Sequence, residues 1–147
     1  MIIINGFKLY YDNNLKSVNS ENVRTNYQPI FNENLSLTKS FNNIYTVVSR
    51  FTYNGSNKYT ISNINIISFI SNQSNEELFY SVRIYDRTHN KKIGELTNLI
   101  NTEPGIISIT QIENVPLVNA VWELQIKTND ATKGRTVFID TLQILAK

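Results

Sequence analysis

A chain of 147 residues fits one domain that buries about two-thirds of the surface its unfolded form exposes, enough for a core without staples. A net charge of +2 with 18% charged residues gives no electrostatic basis for nucleic-acid binding, and no apolar run approaches the ~20 residues of a membrane-spanning helix. There is no cysteine, which excludes disulfides and zinc–thiolate sites, and the start, M-I-I-I-N-G-F-K-L-Y-Y, lacks the basic leader of a signal peptide. Asparagine makes up roughly one residue in seven, well above ordinary usage. Asn, Ile and Lys share A/T-rich codons, and the Asn residues are dispersed among apolar strands. Coding bias therefore accounts for them better than a prion-like tract does.

In chain order, Ile2–Ile4 and Phe7–Tyr11 flank Asn5-Gly6, a short hairpin signal because both residues tolerate positive φ; a single strand kinked at Gly6 is the alternative. From Asp12 to Asn43 the apolar positions (Leu15, Val18, Val23, Tyr27, Ile30, Phe31, Leu35, Leu37, Phe41) show no sustained period. This irregular N-terminal third reads as a long excursion or an arm on a neighbouring subunit, since unstructured stretches of that length are uncommon in compact domains. Ile44–Tyr53 alternates as a strand, with Tyr45, Val47, Phe51 and Tyr53 on one face and Arg50 on the other. Asn54–Asn57 turns the chain. Tyr59–Ile70 is a second strand whose apolar phase changes between Ile66 and Ile67, the signature of a bulge or of a crossing between sheets. Leu78–Asp86 places Tyr80, Val82 and Ile84 inward and Phe79, Ser81, Arg83 and Tyr85 outward. Arg87–Lys92 is a turn, and strands begin at Ile93 and at Ile106.

The run V-W-E-L-Q-I-K puts Trp122, Leu124 and Ile126 on one side and Glu123, Gln125 and Lys127 on the other. A polar segment, Thr128–Arg135, separates it from T-V-F-I-D-T-L-Q-I-L, so Val121–Leu145 reads as one long antiparallel hairpin. The last run changes phase at Asp140-Thr141, which predicts a bulge there, with Asp140 bonded to backbone amides. The expected fold is all-β: an antiparallel, jelly-roll-like β-sandwich with an irregular N-terminal third. The organisation is one domain over 1–147, with a hairpin or arm in 1–43 and the sandwich core in 44–147.

From Leu78 onward the strand order, closing in V-F-I-D-T-L-Q-I (Val137 to Ile144), resembles the galactose-binding-like jelly rolls of carbohydrate-binding modules and of bacteriophage fibre and decoration proteins. The resemblance covers about half of the chain, and no sugar-binding loop matches. It implies a non-enzymatic virion component, a capsid auxiliary, collar or fibre-associated protein of a tailed phage or similar virus. Such a protein would be homo-oligomeric and act through contacts with other virion proteins. Both termini are then expected to be held within the assembly. A carbohydrate- or receptor-binding module is the second reading.

The candidate ligand or interface residues are the outward set Arg50, Phe79, Arg83 and Tyr85, a mixture of aromatic and Arg side chains suited to a glycan or a protein surface. Trp122 alternates with Leu124 and Ile126 and belongs to the core. Catalysis has little basis: the one histidine, His89, falls in a polar turn, no G-x-S-x-G elbow occurs, and Glu76-Glu77 is a loop pair. No catalytic residue or cofactor is assigned. Calcium is the one metal considered, through Asp86, Asp130 and Asp140 near strand ends, although no D-x-D-x-D-G loop is present.

Overall fold

The computed structural model describes residues 28–55, 60–71 and 77–147. Eight strands run through them: β1 (Gln28–Phe41), β2 (Thr46–Tyr53), β3 (Ile61–Ile70), β4 (Tyr80–Asp86), β5 (Lys91–Leu99), β6 (Gly105–Ile109), β7 (Ala120–Thr128) and β8 (Arg135–Ala146). They form two four-stranded sheets, ordered β1-β8-β3-β6 and β2-β7-β4-β5, in which every pairing is antiparallel. The pairs β1·β8, β2·β7, β3·β6 and β4·β5 nest one inside the next. The chain is thus one long ladder of strand pairs, and rolling it up adds β3·β8 and β4·β7. This is jelly-roll architecture, and the all-β antiparallel sandwich read from the sequence holds.

The apolar residues that alternate along each strand meet between the sheets. Trp122, Tyr80, Ile64, Ile66, Ile84, Leu124, Ile126, Ile139 and Leu142 are buried there, each aliphatic side chain contributing about 1.5–3 kcal/mol relative to exposure. Trp122 has no exposed surface and stacks on Tyr53 at 4.1 Å between ring centroids. Where β5 closes against β6, Gly94 leaves room for Ile109: a Cβ at Gly94 would lie 2.5 Å from the Ile109 Cγ2.

Three expectations change, and a fourth holds in part. Gln28–Phe41 is not an irregular excursion or arm but a 14-residue strand of the sandwich, paired along its length with β8. Its period is hidden by register shifts at Pro29/Phe31 and Asn34/Leu37, with Ser36 at φ 43° in the second, and Ile30, Phe31, Leu35 and Leu37 pack on the core. A division of the chain at residue 43 therefore does not hold for 28–43, whereas the Asn5-Gly6 hairpin and the rest of 1–27 lie outside the described residues. Second, β7 and β8 are not a hairpin. They belong to opposite sheets, and the Asn129–Gly134 loop crosses between them, with Gly134 at φ 82°.

Third, β3 does not change phase between Ile66 and Ile67. From Ile64 on, Ile64, Ile66, Ser68 and Ile70 stay inward, so Ile67 and Phe69 are apolar residues of the outer face; the irregularity in β3 itself lies earlier, at Ile61/Asn63, where Ile61 is also buried. Fourth, the predicted bulge in β8 is present: Thr141 pairs with Ile67 and Ile139 with Ser68, leaving Asp140 unmatched. The Asp140 side chain is exposed and accepts a long bond from the Thr141 hydroxyl (3.4 Å), so the bulge rests on register and packing rather than on carboxylate–amide bonds. At the C-terminal end, Lys147 and Thr60 exchange both backbone hydrogen bonds.

Candidate functional site

The outer face of β2-β7-β4-β5 gathers most of the side chains singled out from the sequence. Register places Arg50 beside Glu123, Glu123 beside Tyr85 and Tyr85 beside Lys92, one row across the sheet. The next row runs from Val47 through Gln125 and Arg83 to Glu95. Because side chains at alternate positions share a face, two short rows bring charged and amide groups from four strands within reach of one another.

Glu123 is the hub. It is only 2% exposed although it points away from the core, because the Arg50 and Arg87 side chains lie over it. Arg50 grips the Glu123 Oε2 through Nε at 2.8 Å and Nη2 at 2.7 Å; the Arg87 Nη1 reaches the same oxygen at 3.3 Å, and the Gln125 Nε2 donates to Oε1 at 2.8 Å. Burial alone would raise the carboxyl pKa, but the bonds from Gln125 and Arg50 and the two guanidinium charges outweigh it. Glu123 therefore lies below the ordinary value of 4.5.

From Gln125 the network continues to Arg83, whose Nε donates to the Gln125 Oε1 at 2.6 Å. The Arg83 guanidinium sits 4.0 Å from the Tyr45 ring and 4.7 Å from the Tyr85 ring, and the Lys127 Nζ lies 4.8 Å from the Tyr45 ring. The Tyr45 hydroxyl donates to the Glu95 Oε2 at 2.5 Å, and the Lys92 Nζ binds the Glu95 Oε1 at 3.1 Å. Burial and the adjoining Glu95 carboxylate push the Tyr45 hydroxyl well above the usual phenol range, so it stays a donor at any ordinary pH. Glu95 is raised by burial and lowered more strongly by Tyr45 and Lys92, with a net fall.

Of the four predicted residues, Arg50, Arg83 and Tyr85 fall in this network. Phe79 does not join them there: it precedes β4, two positions before Ser81, where its N–H donates to the Asn129 Oδ1 and its C=O accepts from the Asn129 N–H. Tyr45, Lys92, Glu95, Glu123 and Gln125 were not among the predicted set. The alternation that put Glu123 and Gln125 outside the core was the available signal. Five cationic side chains (Arg50, Arg83, Arg87, Lys92, Lys127) meet two carboxylates here, so the face has three positive charges in excess. Arg50 and Arg87 keep side-chain exposures of 54% and 62%, which leaves donors free to meet an incoming group.

The three aspartates considered for calcium lie in separate settings. Asp86 is fully buried and accepts both the His89 backbone N–H at 2.9 Å and a 2.7 Å contact with the His89 Nδ1, so His89 is a partner of a buried carboxylate and not an idle turn residue. Asp130 takes the backbone N–H groups of Thr132 and Lys133, which hold its carboxyl down at about 2, and pairs with the Arg135 Nε at 3.0 Å. Asp140 is exposed at the bulge. Among the described residues no group of three or more His, Asp or Glu converges on a metal-sized space.

The outer face of the other sheet has a different character. Ile67, Phe69, Ile106 and Phe138 form its apolar part, with Phe69 and Phe138 stacked at 4.5 Å. Asn32, Asn65, Gln143 and Ser108 form its polar part. A shallow depression of about 350 Å³ lies against Leu37, Ile67, Phe69, Pro104 and Phe138.

No protein-family model matches the chain, and no curated protein matches its sequence. Its fold is similar to that of VP2 in the subviral particle of infectious bursal disease virus, with a TM-score of 0.54 and 7% identity over 82% of this chain and 32% of that chain. The structure of the Gx strain of infectious bursal disease virus gives the same picture: a TM-score of 0.53 and 7% identity over 83% of this chain and 32% of that one. The chain thus spans about a third of the length of the proteins it matches. At 7% identity the likeness is one of fold, a jelly roll of the viral-capsid type rather than specifically that of the galactose-binding family.

Proposed function

We propose that this chain is a non-enzymatic structural protein of a virion, a capsid auxiliary, collar or fibre-associated component of a tailed phage or similar virus. The observation that supports the reading is the likeness of fold to VP2 in a subviral particle, which covers 82% of this chain at a TM-score of 0.54. The contact to other virion proteins is assigned to the face of Arg50, Arg83 and Tyr85. Its groups are held in place before a partner arrives: Glu123 orients two guanidinium groups and the Tyr45 and Tyr85 rings flank a third. Ordering costs on binding are correspondingly small. With three positive charges in excess, the surface fits a partner that presents carboxylates, and Arg with Tyr is the pairing enriched where interfaces draw their energy.

The carbohydrate-binding reading has less support. A sugar ring stacks on an open aromatic face, and here the Tyr45 and Tyr85 rings already carry cations at 4.0–4.8 Å. Quantitative mass spectrometry of gradient-purified particles, from cells carrying the gene, tests the virion reading. The chain should co-purify in fixed ratio to the major shell protein, and Arg50→Glu with Arg87→Glu should deplete it from particles. Recovery in the soluble fraction alone would remove the assignment.

A further inference from the structure

We infer that the outer face of the β1-β8-β3-β6 sheet is a self-association surface, covered by the same face of a second copy of this chain. A two-fold contact requires a surface to be complementary to itself. The opposite sheet cannot meet this condition, because its excess of positive charge would face an equal excess. The β1-β8-β3-β6 face meets it in three ways.

First, the ladder positions on this face carry no Lys, Arg, Asp or Glu among the described residues; Asp140, exposed at the bulge, borders the depression and keeps its carboxylate at the rim of the contact. Little charge is stripped of water on contact. Second, the amides of Asn32 and Gln143 each donate and accept, and Asn65, whose Oδ1 already accepts from the Asn63 Nδ2 and the Ser108 Oγ, adds its Nδ2 as a donor, so these groups bond to their own counterparts as readily as to water. Third, the apolar part holds both a projection and a recess. Ile106 on the edge strand β6 is 68% exposed, and the depression between Phe69, Phe138 and Pro104 lies on the same face. Two-fold pairing lets each Ile106 enter the depression of the other copy.

The area is sufficient. Four strands ~4.8 Å apart, with about eight residues each rising ~3.3 Å, present roughly 500 Å² per copy, so two faces bury about 1,000 Å². That is the lower end of specific contacts, so the dimer is expected to be weak and is to be sought at roughly 1–100 µM. The contact does not depend on the virion reading, because it uses the other face and no second protein.

Sedimentation velocity of the full chain across that concentration range tests it. A reversible monomer–dimer equilibrium is expected, little changed between low and high NaCl because no ion pair contributes. Ile106→Lys should weaken the dimer about tenfold or more by placing a charge in the contact, and Ser108→Arg, exposed on the same edge strand, should do likewise. Both sites are exposed, so unchanged thermal melting would separate lost association from lost folding. Arg87→Glu, on the opposite face, should leave the dimer constant unchanged. A chain that stays monomeric throughout overturns the proposal, as does a dimer indifferent to both edge-strand variants or one that responds to Arg87→Glu and to salt.

Discussion

On the outside of β2-β7-β4-β5, side chains from four strands lock together through Glu123, Gln125, Arg83 and Glu95; on the outside of β1-β8-β3-β6, the same kind of pleat holds Ile, Phe, Asn and Gln, with no ion pair among the described residues. Both sheets rest on one apolar layer. The difference therefore comes from what alternates with the core residues, and it divides the molecule into a surface tuned by charge and one tuned by shape. The first should respond to pH and salt, and the second little to either. A protein with two such faces can make two kinds of contact at once without either competing with the other.

The largest expected effect lies beneath both. Trp122→Ala removes a fully buried ring stacked on Tyr53 and should cost roughly 3–5 kcal/mol in urea unfolding. Variants of either outer face should stay well under that loss; one that matched it would show that its face is part of the core.

Next is the hub. Glu123→Ala leaves Arg50, Arg87 and Gln125 without their shared acceptor and should cost about 1–3 kcal/mol, at the lower end because both guanidinium groups reach water. The charge-tuned face should also respond to acid. Glu123 and Glu95 have folded-state pKa values below the ordinary 4.5, so their contribution is complete above that value and is lost as pH falls through the lower folded values. Urea midpoints measured from neutral pH down to acid should drop in that window, and Glu123→Gln should flatten the drop. An undiminished pH slope in that variant would place the titrating groups elsewhere.

On the shape-tuned face, Phe138→Ala separates a stacked pair that is half-buried and should cost about 1–1.5 kcal/mol, independent of salt. The smallest effect belongs to Arg83→Lys, which keeps the charge but loses the planar group between Tyr45 and Tyr85; about 0.5–1 kcal/mol is expected from chemical denaturation. A loss as large as that of Glu123→Ala would make Arg83, and not Glu123, the centre of the network.

Much of this division was readable along the chain, and what escaped has physical causes. Alternation identified β4 and β7, the inward Trp122 and the outward Arg83 and Tyr85, since one buried face imposes a period of two. It found β2 but not its faces, because a register shift between Val47 and Ser49 turns Val47 outward with Arg50 while Phe51 and Tyr53 stay inward. It failed at β1, where two register shifts break the period, and at β3, where outward Ile67 and Phe69 mimic a phase reversal because the outer face is itself apolar. The expected β7–β8 hairpin failed for another reason: strand pairing in a jelly roll links distant segments, and a polar loop that crosses between sheets has the composition of a tight turn. Within the charged face, Glu123 read as an ordinary exposed acid. Its burial arises from Arg50 and Arg87, 73 and 36 positions away, and no local pattern carries that. Asparagine abundance, read as coding bias, also has a structural use: Asn90, Asn98 and Asn114 all adopt positive φ, a conformation Asn tolerates better than most residues.

The nesting of the strand pairs sets an order of events as the chain is made. The β4·β5 hairpin closes across a four-residue turn and is complete long before β8 exists, whereas among the described residues β1 pairs with β8 alone, 94 to 118 positions later, and β8 lies between β1 and β3 in its sheet. During synthesis β1 and one side of β3 must wait unpaired until the last strand has left the ribosome. Distant pairing of this kind folds slowly, on the scale of milliseconds to seconds, and leaves strand edges open to the wrong neighbour meanwhile. A chain ended before Arg135 should therefore leave the sheet in two separated pieces and aggregate, while the β4·β5 hairpin, already formed, should be the last part to lose its amide protection.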